Sequence, residues 1–158
     1  MAYIIQLETT TKQCSVALSY NGNCISKKVL LAEHFSHDEK LHVFIEEVLQ
    51  EASVGFSELD AVAISKGPGS YTGLRIGVAA AKGLCFALDL PLIGIHTLEL
   101  MVQPFIGKAE YVFFIPMLDA RRMEVYTAVF DNSKTWIQET NALVLEAQSF
   151  YGLIGDSP

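Results

Sequence analysis

The sequence predicts an α/β fold in which a βββαβαβα unit opens twice, and three observations carry that prediction. A run of buried-strand character, Leu59 to Ile64, leads through a glycine turn into a long apolar helix. Asn21-Gly22 separates two alternating runs, the strongest short hairpin signal a sequence offers. After Gly107-Lys108 the opening pattern recurs: an apolar strand ending on an acid, a polar turn, and a return strand.

The elements follow in order. Tyr3 to Leu7 is an apolar strand ending on Glu8, and Thr9 to Gln13 is a polar turn. Cys14 to Tyr20 returns, the Asn21-Gly22 hairpin follows, and Ile25 to Leu31 completes three antiparallel strands. Then the period changes from two to helical. Ser36 with Glu39 reads as a capping box, and Leu41, Phe44, Ile45, Val48, Leu49 and Ala52 recur at helical spacing until Gly55 stops them. Strand Leu59 to Ile64, helix Ser70 to Asp89, strand Leu92 to Ile95 and a short helix from Thr97 to about Phe105 complete a first unit, residues 1–107.

The glycine turn, Ser65 to Gly77, organises the rest. Gly67 and Gly69 permit dihedrals closed to other residues, Pro68 fixes one φ, and Ser70 or Thr72 can cap the helix. A glycine turn at a helix N-terminus can hold an anion, but a phosphate loop ends in Gly-Lys-Ser/Thr, and here Lys66 precedes the glycines. The turn therefore reads first as a device for close packing. Gly73, Gly77 and Ala81 recur at four-residue spacing, so one helix face lets another backbone approach, and that face is expected to meet a partner. On that reading Gly77→Leu breaks association and leaves the monomer folded. Arg75, Lys82 and Asp89 mark the helix as one outside the membrane.

The second copy, residues 108–158, has strand Tyr111 to Leu118 ending on Asp119 and a polar turn Ala120-Arg121-Arg122. Strand Met123 to Phe130 returns, Asp131-Asn132-Ser133 closes a hairpin, Ala142 to Leu145 is a third strand, and a helix starts weakly near Gln148. The copy reads as incomplete, mainly three antiparallel strands, and the stop at Pro158 as a shortening.

Composition narrows the function classes. Half of the 158 residues are apolar and 18% are charged, a globular balance, and the net charge of -7 argues against unaided nucleic-acid binding. The three cysteines, Cys14, Cys24 and Cys85, form no C-x-x-C and no complete disulfide set, which fits a reducing compartment. The N-terminal residues have no basic leader, so a cytoplasmic protein is expected.

Each candidate for chemistry has a plainer alternative. His34, His37 and His42 lack the one-turn spacing of a helical metal pair, and His96 reads as a turn residue. The cysteines lie in strands or on an apolar helix face, where a thiol is inert filling. Glu8, with Thr10 beside it, and Asp119 end the first strand of each half. They are weak candidates for holding a cation or phosphate, since the turns that follow carry no glycine for close approach. Arg121 and Arg122 can touch an anion, but pairing with Glu124 in a salt-bridged turn is the commoner outcome.

A duplicated βββαβαβα unit is the organisation of the actin, hexokinase and Hsp70 superfamily (ASKHA). Within it, Leu7-Glu8-Thr9-Thr10, the run Gly67 to Gly77 and the run Asp119 to Tyr126 resemble the bacterial TsaB (YeaZ) family, in the right order over nearly the whole chain. The resemblance implies a non-catalytic paralogue of TsaD that serves threonylcarbamoyl modification of the adenosine beside the anticodon in certain tRNAs. It further implies binding to TsaD through the first two helices, TsaE as a further component, tRNA contact only through the complex, and a homodimer in isolation. ATP and metal are then expected in the partner proteins and no cofactor in this chain alone. The implied interface is Leu41 and Ile45 of the first helix with Thr72, Gly73, Arg75, Ile76, Gly77, Ala80 and Ala81 of the second. Two other readings stand beside it: a small phosphotransferase using Glu8 and Asp119 around magnesium-nucleotide, and a zinc glycoprotease-like peptidase.

Overall fold

The structure, a computed structural model, describes residues 1–31, 37–108 and 113–154. The expected capping box at Ser36 and the start of the strand at Tyr111 lie outside them. Its contacts divide the chain into two units, Met1–Leu100 and Met101–Pro158. That boundary falls earlier than the expected one at Gly107. The reason is local: Gly107 donates to Asn132 Oδ1 (3.0 Å) and Lys134 Nζ to Gln103 Oε1 (3.0 Å), so residues 103–108 are tied to the second unit.

In the first unit, β1 (Tyr3–Glu8), β2 (Gln13–Tyr20), β3 (Asn23–Leu31), β4 (Ala61–Ser65) and β5 (Leu92–Ile95) form one sheet in the order β3-β2-β1-β4-β5. The first three strands are antiparallel, and β4 runs parallel to both β1 and β5. Register is set by alternation. Ile5 stands opposite Leu18 and Val62, and Leu7 opposite Val16 and Ile64, so these buried side chains share one face. A one-residue slip would turn the whole set to the other face. Helices α1 (His37–Ala52) and α2 (Tyr71–Leu88) cover that face, α1 through the buried Leu41, Ile45, Val48 and Leu49, α2 through Ala81. Each fully buried Leu or Ile contributes about 1.5–3 kcal/mol relative to exposure. Lys28 of β3 also reaches Glu51 (2.5 Å) and Glu47 (3.4 Å) of α1 at the exposed rim.

Strand β4 is buried at every position, as a parallel strand packed on both faces must be. It leads into the glycine turn and α2. Ser70 is the N-cap, its hydroxyl accepting from the Gly73 N–H (3.2 Å), and Asp89 closes the helix in the left-handed conformation.

The stripe of Gly73, Gly77 and Ala81 is buried, and this corrects the sequence reading. It faces its own unit. The Thr9 hydroxyl donates to the Gly73 carbonyl (2.8 Å), and a Cβ at Gly77 would collide with Thr9 Oγ1 and lie 3.1 Å from Ile64 Cδ1. Thr10 takes the same position before the helix: a Cβ at Gly69 would lie 2.5 Å from its carbonyl oxygen and 2.6 Å from its Cβ. The glycines admit the turn after β1.

In the second unit, β6 (Phe113–Phe114) and β7 (Met117–Arg121) pair with successive parts of one edge of β8 (Glu124–Asp131), and β9 (Trp136–Val144) pairs with the other edge. The expected single strand up to Leu118 is thus broken around Pro116, whose carbonyl accepts from the buried Thr127 hydroxyl (2.9 Å). Phe130 is fully buried against Trp136, with ring centroids 4.4 Å apart. The third strand is longer than expected, and a short helix, Tyr151–Ile154, follows.

Strands β7 and β8 meet in a two-residue turn. Arg121 pairs with Glu124, and Arg122 and Met123 both have positive φ (53° and 63°), as does Arg121 (71°). The β2–β3 hairpin has the same form: Tyr20 pairs with Asn23, and Asn21 and Gly22 have φ of 50° and 82°. One turn uses the residues this geometry favours and the other does not.

Two stability measurements follow. Gly77→Leu is expected to cost about 3 kcal/mol or more and abolish the cooperative thermal transition; a folded variant would refute the inward packing. Replacing Arg122 by Asn together with Met123 by Gly should raise the unfolding free energy by about 1 kcal/mol in urea titration. An unchanged or lower value would show that the turn carries no strain.

Candidate functional site

Where β1 ends, Glu8 is held by its own chain. Oε1 accepts from the Thr10 N–H (2.7 Å) and the Thr10 hydroxyl (2.5 Å), and Oε2 accepts from the Ser65 hydroxyl at the end of β4. The carboxylate therefore ties two neighbouring parallel strands and the turn between β1 and β2 into one cluster. The glycine turn is pinned in the same way. Ser70 donates its N–H to the Thr10 carbonyl (2.6 Å), Lys66 to the Ile95 carbonyl (2.9 Å), and Thr97 to the Gly67 carbonyl (2.9 Å). Within the Ser65–Gly77 turn the N–H groups of Lys66, Ser70, Gly73 and Leu74 each have a protein acceptor. These bonds tie the turn to the residues that follow β1, to the end of β5 and to the start of the helix at Thr97.

Asp119 plays a smaller version of the same part. It lies within β7, at a bulge, rather than at the strand end, and its Oδ1 accepts from the Arg121 N–H (2.7 Å). In both units the acid of the first strand binds the N–H two residues on. The expected pairing of Arg121 or Arg122 with Glu124 is not found among the described residues, and both arginines are exposed. Burial pushes the Cys14 and Cys85 thiols up, away from the thiolate form. Among the described residues no three His, Cys, Asp or Glu side chains converge as metal ligands do. His34 lies outside those residues.

The nine residues of the expected interface divide by face. Leu41, Ile45, Gly73, Gly77 and Ala81 are buried inside the first unit and cannot touch a partner without unfolding it. Leu41 and Ile45 were legible as core from their spacing, and the small stripe is consumed by the Thr9-Thr10 turn. Thr72 and Arg75 are exposed and Ile76 and Ala80 half-buried, so these four remain on the outer side.

There the structure shows a groove that takes in Ile76 and Ala80 of the expected interface. The groove, shallow and of ≈ 510 Å³, runs along the outer face between α1 and α2, lined by His42, Ile76, Ala79, Ala80, Gly83 and Leu84. Phe86 is 93% exposed beyond it and Tyr71 74% exposed at the start of α2, with the Arg75 guanidinium 5.6 Å from the Tyr71 ring centroid. The signal was present in the helical wheel, since Phe86 and Gly83 stand away from the Gly73-Gly77-Ala81 face. No described helix is long and apolar enough to cross a membrane.

Comparison with known proteins fits this geometry into a family. Residues 32–148 match the family model described as TsaD: tRNA N6-adenosine threonylcarbamoyltransferase. The chain is 37% identical over 123 residues to a tRNA threonylcarbamoyladenosine biosynthesis protein TsaB of Haemophilus influenzae, covering 78% of this chain and 51% of that protein. It is 32% identical over 147 residues to the TsaB of Escherichia coli, covering 92% and 63%. A tRNA N6-adenosine threonylcarbamoyltransferase of Geobacillus thermodenitrificans is 38% identical over 109 residues, 60% of this chain and 32% of that one. Among solved structures, YeaZ from Pseudomonas aeruginosa superposes with a TM-score of 0.81 at 29% identity, covering 93% of this chain and 69% of its own. The chain thus spans 51–63% of the length of these curated TsaB relatives. With its actin/hexokinase/Hsp70-type fold, its inward glycine stripe and these matches, the chain belongs to the TsaB (YeaZ) branch of the TsaD family.

Proposed function

We propose that the chain is a non-catalytic partner subunit in the synthesis of threonylcarbamoyladenosine in tRNA, and that it docks a TsaD-type transferase through the outer face of α1 and α2. The observation that carries the reading is the exposed groove between those helices, flanked by Phe86. A mostly apolar concavity, with Phe86 exposed on the same helix, suits an interface anchored by a few large side chains. The TsaB names of the relatives support the pathway. The absorption of Glu8 by Thr10 and Ser65 supports a structural rather than a phosphate-handling part for that acid, and so favours the partner reading over the phosphotransferase.

The reading includes TsaE as a further component, ATP and metal held by the partners, and a cytoplasmic location, which the three free thiols support. In isolation the same face meets a second copy, because an exposed apolar groove is satisfied by self-association when its partner is absent.

Gly83 supplies a clean test, since a Cβ there meets nothing within 4 Å, so a side chain is accommodated by the monomer. Gly83→Arg should keep or raise the melting temperature, as replacing a helical glycine gains about 0.5–1 kcal/mol. The same variant should weaken the complex with TsaD at least roughly thirtyfold, about 2 kcal/mol. Size-exclusion chromatography with light scattering on chain and TsaD from one source reads this out. The wild-type chain should exchange a self-associated form for a one-to-one complex, and an arginine variant that does the same would remove this face from the interface.

A further inference from the structure

We propose that the tip of the β7–β8 hairpin, Arg121, Arg122 and Met123, is a contact for RNA phosphate groups; this deepens the reading above and rests on it. The first observation is conformational. All three residues have positive φ, a region that L side chains avoid, and none is the glycine or asparagine that a two-residue hairpin turn favours. The same turn in the first unit is made by Asn21-Gly22, so this fold has a low-strain solution available and does not use it here. Backbone strain of this kind, held in place by the flanking ladder and by Asp119 on the Arg121 N–H, is found where side chains must be presented.

The second observation is electrostatic. Arg121 and Arg122 are both exposed, and among the described residues neither has an ion pair, although Glu124 is adjacent. Two guanidinium groups on neighbouring residues offer planar donor forks that match phosphate oxygens two at a time. Met123, 73% exposed beside them, adds an apolar, polarisable side chain suited to a base or sugar face.

The shape decides between polyanions. A two-residue turn is a narrow, convex point, which suits a groove or the gap between successive phosphates; an acidic protein surface is more often met by a broad patch of about 800 Å² per partner. The chain as a whole carries -7, so this tip is a local contact that works when another subunit supplies the main attraction for RNA.

The test uses the complex of this chain with TsaD and a fluorescein-labelled, unmodified tRNA transcript with adenosine beside the anticodon, titrated by anisotropy across a salt series. Arg121→Gln with Arg122→Gln should form the complex as wild type does, bind the transcript about tenfold more weakly, and lower the slope of log affinity on log salt by roughly 1–2. Lys12→Gln with Lys27→Gln, the same change in charge on the first unit, should leave both values unchanged. Equal loss in the two double variants, or no loss in the arginine one, overturns the proposal. If the arginine variant instead fails to join TsaD, the tip is a protein contact and the RNA assignment is wrong. If wild type itself forms no complex, the partner reading fails and this proposal falls with it.

Discussion

The first unit depends on how closely the turn after β1 approaches the start of α2. Thr9 hydrogen-bonds the Gly73 carbonyl and fills the space over Gly77, while Thr10 lies against Gly69 and receives the Ser70 N–H. Glu8 completes the arrangement by joining Thr10 to Ser65 across β1 and β4. A helix N-terminus, a glycine turn, two parallel strands and a hairpin turn meet at one place, where Glu8, Thr9, Thr10, Ser65 and Ser70 each make side-chain hydrogen bonds. With that junction fixed, α2 can turn only its other side outward, so the outer groove follows from the inner packing.

Much of this architecture was legible because its signals are local. A short apolar run gave β1, alternation gave β2, Asn21-Gly22 gave the hairpin from β2 to β3, and the change of period gave α1. Ser70 as the cap of α2 and Asp89 as its end were legible for the same reason, since caps are chosen by nearby backbone groups. The direction of the small-residue stripe was not. Spacing shows that Gly73, Gly77 and Ala81 share a face, but whether it meets a partner or the same chain depends on Thr9, distant in sequence. The turn after Asp119 was read at Ala120-Arg121-Arg122, but its two-residue form at Arg122-Met123 was not legible, because those residues contradict the local preference for such a turn.

The two units repeat an opening and use it differently. Each has an acid on its first strand that binds the N–H two residues on. In the first unit the following turn is long and is absorbed into the packing of α2. In the second it shrinks to two residues and stays exposed. A structural junction and a presented tip have thus come from one pattern. In the first unit the acid ties together two strands and a turn, whereas in the second it holds only the turn beside it.

The most direct test of the outer-face account is hydrogen–deuterium exchange of the chain alone and with TsaD. Added protection should concentrate in the peptides that hold His42 and residues 76–87, with the Thr9-Thr10 junction already slow to exchange and unchanged. Protection elsewhere, with residues 76–87 unaffected, would contradict the account and place the partner on another surface.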